Sequence, residues 1–168
     1  ALAVPGAQWA IEALPHLAPP GRAAVLAPSY NEHAAQLRLA GWHVAEVPGP
    51  EAMAGADLAV LVNPNNPDGR CWAPAQVRAL AGRVGWLVVD ESFGEVAPGL
   101  SVAAQASDRL VVLTSLGKFW GLAGLRLGFV LAGPAVLSAL AARRGPWAVS
   151  GPALAVGAAA LADRGWAE

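Results

Sequence analysis

Short runs rich in Val, Leu and Ala alternate with helix-like segments along this chain, and that alternation constrains its fold more than any other feature. Residues 5–17 read as a helix, with Pro5 at its mouth and Trp9, Ile11 and Leu14 spaced to make one apolar face. The Pro19-Pro20-Gly21 break separates it from a buried-strand run at 23–27, and a helix over 31–40 then ends at Gly41. Strands are predicted at 43–47, 58–62, 86–89, 110–113 and 125–131, and helices from Pro74 to Leu80, from Pro134 to the Arg143-Arg144 pair, and from Gly151 onward. Apolar strand runs without polar alternation, each accompanied by a helix, imply an α/β fold. The expected form is a mostly parallel sheet covered by helices on both faces, a three-layer αβα arrangement.

Three of these strands end in polar residues. The turn at 63–69 follows one, Asp90 and Glu91 another, and the segment from Ser115 to Lys118 a third. In open α/β sheets the ligand crevice lies beyond the carboxyl ends of the strands, so the pattern nominates a site. Each piece has an ordinary reading of its own: Asn, Pro, Asp and Gly make turns, Asp90 could cap the next segment, and most lysines are solvated. Arg126 within an apolar run is harder to set aside, because a buried guanidinium needs an anionic partner.

Composition excludes several classes. Hydrophobic residues make up 55% and charged residues 14% of 168, with a net charge of -1, so the chain is globular and has no field for gathering nucleic acid or an anionic membrane surface. The charge-free stretch 151–162 is too short for a bilayer span, which takes ~20 residues. Cys71 is the only cysteine, which rules out an intramolecular disulfide and a cysteine metal cluster and suits a reducing cytoplasm. His16, His33 and His43 show no metal-ligand spacing, and no metal is expected. His33 follows Tyr30 on the same helix turn and could approach the site, but a helix-surface or packing histidine is the expected reading; Glu91 and Glu95 are expected to be polar loop residues, Cys71 a small packing residue, and Trp120, Trp147 and Trp166 to serve contacts or core. Ala1 rather than a methionine stands first, and the opening lies in a helix-like pattern, so both ends are expected to be missing.

Taken in order, NPNNPDG at 63–69, VVDESF at 88–93 and TSLGKFWGLAGLRLGF at 114–129 resemble the pyridoxal-phosphate aminotransferase superfamily over essentially the whole chain. The resemblance implies pyridoxal 5'-phosphate (PLP) as cofactor and assigns roles. Lys118 matches the lysine that carries the cofactor, and Asp90 the carboxylate that pairs with its pyridine nitrogen. Asn66 matches the donor to its phenolic oxygen, and Tyr30 the aromatic stacked on its ring. Ser115 and Arg126, with Gly6, Ala7 and Gln8 at the opening of the first helix, match the phosphate cup. Relatives often carry hydroxyl residues where Ala7 and Gln8 stand, so backbone donors are expected to do most of the holding there.

Two departures narrow the resemblance. Phe93 occupies a place where a tyrosine is common and cannot donate a hydrogen bond, and Asp68 stands where threonine is common, followed by Arg70. With the opening from Pro5 to Trp42, these features look most like the threonine-phosphate decarboxylases of cobalamin biosynthesis. That likeness implies decarboxylation of L-threonine O-3-phosphate to (R)-1-amino-2-propanol O-2-phosphate by a cytoplasmic homodimer. A histidinol-phosphate-type aminotransferase is the alternative, and a non-catalytic aminotransferase-like sensor domain a third reading. Residues 1–168 would be the PLP-binding large domain, with the small domain and its carboxylate-clamping arginine absent and little turnover expected from this chain alone.

Overall fold

The computed structural model describes residues 1–167. Seven strands form one sheet: β1 (Leu2–Val4), β2 (Arg22–Leu26), β3 (His43–Val47), β4 (Leu58–Val62), β5 (Trp86–Asp90), β6 (Leu110–Ser115) and β7 (Gly128–Leu131). Their order is β1-β7-β6-β5-β4-β2-β3; the neighbours from β6 to β3 pair in parallel, while β7 runs antiparallel to both β6 and β1. Helices α1 (Ala7–Ala13), α2 (Glu32–Leu39), α3 (Pro74–Ala81), α4 (Pro134–Arg144), α5 (Gly151–Ala162) and α6 (Arg164–Ala167) complete the fold.

The two sheet faces explain why the central strands lack polar alternation. Val25, Val60, Val88 and Val111 point to one face and pack with Ile11, Leu37 and Leu140 from α1, α2 and α4. Their neighbours Leu26, Leu61, Val89 and Val112 point to the other, against Val77 and Leu80 of α3. Alternate residues fill separate cores, so each strand must be apolar throughout. Edge strand β3 is different: none of its residues is fully buried, and its Glu46 pairs with Arg38. Helix α5 buries only Ala153 and Gly157 and leaves Leu154, Val156 and Leu161 exposed. Among the described residues no helix is long and apolar enough to cross a membrane.

The structure corrects four expected elements. The chain opens in strand β1 rather than in a helical pattern, paired against β7 from Leu2–Val130 to Val4–Gly128. The helix expected over 5–17 is α-helical only to Ala13; Pro15, which has no N–H to give, lies in a single 3-10 turn at Leu14–His16. The strand expected over 125–131 starts at Gly128, because Leu125 closes a 3-10 turn and Arg126 turns the chain with φ 50. Strand β6, by contrast, runs past Leu113, since Thr114 and Ser115 pair with Phe129 and Gly128.

Gly128 fixes where α1 begins. A Cβ there would stand 2.7 Å from the Thr114 carbonyl oxygen and 2.8 Å from the Ala7 amide nitrogen, both backbone atoms that cannot swing aside. Gly128→Ala is therefore expected to destabilise the fold by roughly 1–3 kcal/mol, the usual cost of forced shifts in a packed core. The measurement is a lowered denaturation midpoint with unchanged slope. Gly124→Ala, with open space around its Cβ, serves as the control that moves little.

Candidate active site

The loops after β2, β4, β5 and β6 meet at one edge of the sheet, where they and the mouth of α1 enclose a cleft. Lining it are Ala7, Gln8, Tyr30, Asn66, Asp90, Ser115, Lys118 and Arg126, joined by Phe93 and Ser92. Of the residues expected from the sequence only Gly6 stays behind the surface, and it meets the cleft through Arg126. Its φ is +83, and a Cβ on it would lie 2.7 Å from Arg126 Nη2. The bare backbone at Gly6 thus lets the guanidinium rest against the start of α1.

Asp90, the last residue of β5, is buried on the cleft floor. Its Oδ1 accepts the Ser92 backbone N–H at 2.9 Å, and its Oδ2 lies 2.9 Å from His33 Nε2. Burial pushes this carboxyl up, but the hydrogen bond and charge of His33, with the Ser92 hydrogen bonds, outweigh it and hold the group below the ordinary carboxylate range. An ionised carboxylate only accepts, so Nε2 of His33 carries the proton in this contact.

His33 corrects the sequence reading. Far from the surface, it is 3% exposed and bound to the central carboxylate. The signal was its spacing: three residues after Tyr30, at the first turn of α2, it faces the same way, and the two rings meet edge to face at 6.1 Å. Glu91 is also more than a loop residue. Its buried carboxylate accepts from Ser101 Oγ at 2.6 Å and from the Val102 amide at 2.7 Å, so it ties down the segment that carries Phe93.

Tyr30, Asn66 and Lys118 line the same cleft as Asp90. The Tyr30 hydroxyl donates to Gln8 Oε1 at 3.3 Å, and burial first, then the charges of Glu32 and Asp90, raise its phenol, with Arg126 acting in the opposite sense. Gln8 gives both amide hydrogens away from the cleft, to Glu12 at 3.0 Å and Glu32 at 3.1 Å. Its side chain is committed, and the backbone N–H groups of Ala7 and Gln8, in the first turn of α1 beside the cleft, have no intrahelical acceptor. The three asparagines of the 63–69 turn are sorted by the fold. Asn63 exchanges hydrogen bonds with the Trp72 backbone at 2.9 and 3.0 Å, Asn65 is buried, and Asn66 lines the cleft.

Lys118 is exposed, and its Nζ lies 5.6 Å from the Phe93 ring centroid, over the ring face. Among the described residues it forms no ion pair. Ser115 Oγ accepts the Gly117 amide at 3.1 Å at the start of the same loop. Arg126 departs from expectation: it is exposed at the end of a 3-10 turn, with Nη1 donating to Ala123 O at 3.2 Å. The argument from a buried guanidinium does not apply to it, although the side chain still reaches the cleft. The exposed Cys71, which donates to Gly69 O, is likewise no packing residue. Trp120 and Trp166 stack on each other at 5.0 Å with Phe119 against both, and Trp147 is exposed.

Comparison with known proteins places this geometry. The model of the family "Aminotransferase class I and II" matches residues 1–166. A threonine-phosphate decarboxylase of Sinorhizobium sp is 50% identical over 168 residues, covering 95% of this chain and 50% of that protein. A histidinol-phosphate aminotransferase of Mycobacterium tuberculosis is 38% identical, covering 90% of this chain and 44% of that protein. Among solved structures, the histidinol-phosphate aminotransferase from Sinorhizobium meliloti in complex with pyridoxal-5'-phosphate superposes with a TM-score of 0.86 at 25% identity, over 98% of this chain and 50% of that one. The chain thus spans about half the length of the curated relatives it matches. With its mixed sheet, its cleft at the strand ends and a family match along almost its whole length, this chain belongs to the class I and II aminotransferases.

Proposed function

We propose that the cleft holds pyridoxal 5'-phosphate, and that the whole protein removes the carboxyl group of L-threonine O-3-phosphate to give (R)-1-amino-2-propanol O-2-phosphate. The observation that carries the cofactor reading is the donor set. A buried carboxylate held ionised, a lysine amine, an aromatic ring and a guanidinium line one cleft, the set of groups that would suit a pyridine nitrogen, an aldehyde, a flat ring and a phosphate. The decarboxylase reading is supported by the 50% identity to a threonine-phosphate decarboxylase.

When bound, the cofactor supplies a protonated ring that takes up the electron pair left as a bond to Cα breaks. The chain's residues make that possible. Asp90, fixed by His33 and Ser92, keeps a negative charge beside the ring nitrogen. Tyr30 would cover a ring face, and Asn66 would donate to the phenolic oxygen. Arg126, Ser115 and the backbone N–H groups of Ala7 and Gln8 hold the phosphate. Lys118, which lines the cleft, would be the residue that holds the cofactor's aldehyde and, as an amine, the group that could hold or deliver a proton at Cα. Phe93 contributes no hydroxyl to the phenolic oxygen, unlike the tyrosine common at that place.

Residues 1–168 act in this reading as the large, cofactor-binding domain of a cytoplasmic homodimer, and contacts that orient the substrate come from the whole protein. Those contacts would decide between decarboxylation and amino transfer by how they orient the substrate. A histidinol-phosphate-type aminotransferase is the second reading, favoured by the 38% identical relative. The test is product analysis of the whole protein with L-threonine O-3-phosphate. Release of CO2 with formation of the aminoalcohol phosphate is expected; amino transfer from histidinol phosphate without CO2 release from threonine phosphate overturns it.

A further inference from the structure

Asp68 and Arg70, the residues that set the asparagine turn apart, do not line the cleft. We infer that they form a positioning clamp, which stitches together the loops after β2, β3 and β4 and thereby fixes Tyr30 relative to Asn66.

The stitching runs through Asn65. Its Oδ1 accepts from Ser29 Oγ at 2.7 Å, and its Nδ2 donates to the Pro28 carbonyl at 2.9 Å and to Asp68 Oδ1 at 2.7 Å. Asn65 is buried, so every one of these bonds counts. The two residues immediately before Tyr30 are thus bonded to the residue immediately before Asn66. Asp68 then accepts from Arg70 twice, from its backbone N–H at 3.0 Å and from Nε at 2.7 Å. The guanidinium reaches on to Pro48 O at 2.7 Å, just past β3, and to Ala27 O at 3.5 Å, just past β2, while lying 5.6 Å from the Trp72 ring centroid.

Residue type follows from this pattern. Asp68 accepts three hydrogen bonds on two charged oxygens, more than a single neutral threonine hydroxyl can offer an arginine fork and two amides. Arg70 serves acceptors in three loops from one rigid plane, which a lysine ammonium on a flexible stem does not reproduce. An exposed ion pair alone contributes little, so the effect lies in closing the network rather than in its charge.

Tyr30 is the only tyrosine in the chain and reports on the clamp without any cofactor. With ring-labelled tyrosine, one resonance follows ionisation of a phenol that burial, Glu32 and Asp90 hold above its ordinary value and Arg126 draws down. Asp68→Ala and Arg70→Ala are each expected to lower that midpoint toward the ordinary phenol, with the double variant no lower than either single one. Arg70→Lys, which keeps the charge and loses the fork, is expected to behave like Arg70→Ala, and circular dichroism checks that each variant is folded. Should the alanine variants disturb folding, Asp68→Asn keeps the acceptor for Asn65 and is expected to give a smaller shift of the same sign. Unchanged midpoints overturn the clamp. So do shifts of opposite sign, since removing an anion and removing a cation act oppositely if charge alone is at work.

The functional consequence rests on the PLP reading. Cofactor release from the whole protein is expected to be roughly fivefold faster or more in Asp68→Ala than in the unaltered protein. An unaltered protein that binds no PLP defeats that reading and leaves the Tyr30 result standing, whereas tight PLP with unchanged release in the variants defeats the clamp.

Discussion

Lys118→Ala is expected to abolish covalent attachment of PLP while leaving the fold intact. The side chain is exposed, makes no ion pair among the described residues, and touches its surroundings mainly over the Phe93 ring. Its removal should change stability by no more than about 0.5 kcal/mol, as at an ordinary surface position. Chemically nothing replaces it, because Lys118 is the only lysine in the chain. Addition of PLP to the unaltered chain should give an absorption band of the lysine-joined cofactor, and hydride reduction should then fix the cofactor's mass on the peptide containing Lys118. Both signals should vanish in Lys118→Ala. A variant that still traps the cofactor at another site would sink the assignment. In the whole protein, turnover should fall by about a hundredfold to ten-thousandfold on loss of a positioned proton donor alone.

The second large effect is expected at Asp90. Asp90→Asn keeps the shape and removes the charge that would hold a proton on the pyridine nitrogen, at a cost of about a hundredfold to a thousandfold in turnover of the whole protein, the scale of one lost electrostatic contact to developing charge. Asp90→Ala removes His33's partner as well, and breaking a buried pair from one side costs roughly 3–5 kcal/mol. The sign of the pH dependence follows from the depressed carboxyl. A group whose folded pKa lies below its unfolded one adds stability above the unfolded value, near pH ~4 for an aspartate, and loses it as pH falls through the folded value. His33→Ala leaves burial opposed only by Ser92, so the carboxyl should move up and acid unfolding should begin at higher pH. An acid-unfolding midpoint that is the same in His33→Ala and the unaltered chain would show that the contact does not tune Asp90.

Much of this was legible beforehand, and the reasons are specific. The parallel strands were visible because both faces are buried, so Leu58 to Val62 and Trp86 to Val89 read as unbroken apolar runs. Strand β1 was not, since three residues at an edge carry no period and take their structure from β7. Residues 125–127 look like strand by composition, yet Arg126 adopts a left-handed conformation that local propensity gives no reason to expect. The cleft residues were found through their motifs. The burial of His33 depends on how α2 packs over Asp90, and the division of labour among Asn63, Asn65 and Asn66 on partners far along the chain.

The β3 border of the sheet has a consequence for how this molecule meets copies of itself. An open strand edge invites another strand to add, and this edge is blunted by the ion-paired Glu46 and the exposed His43. Growth of the sheet from molecule to molecule is disfavoured at that border. The exposed apolar face lies instead on the uncharged α5, with Leu154, Val156 and Leu161 outward. Any self-association through that face would be hydrophobic rather than ionic, and added sulfate would strengthen it instead of screening it away.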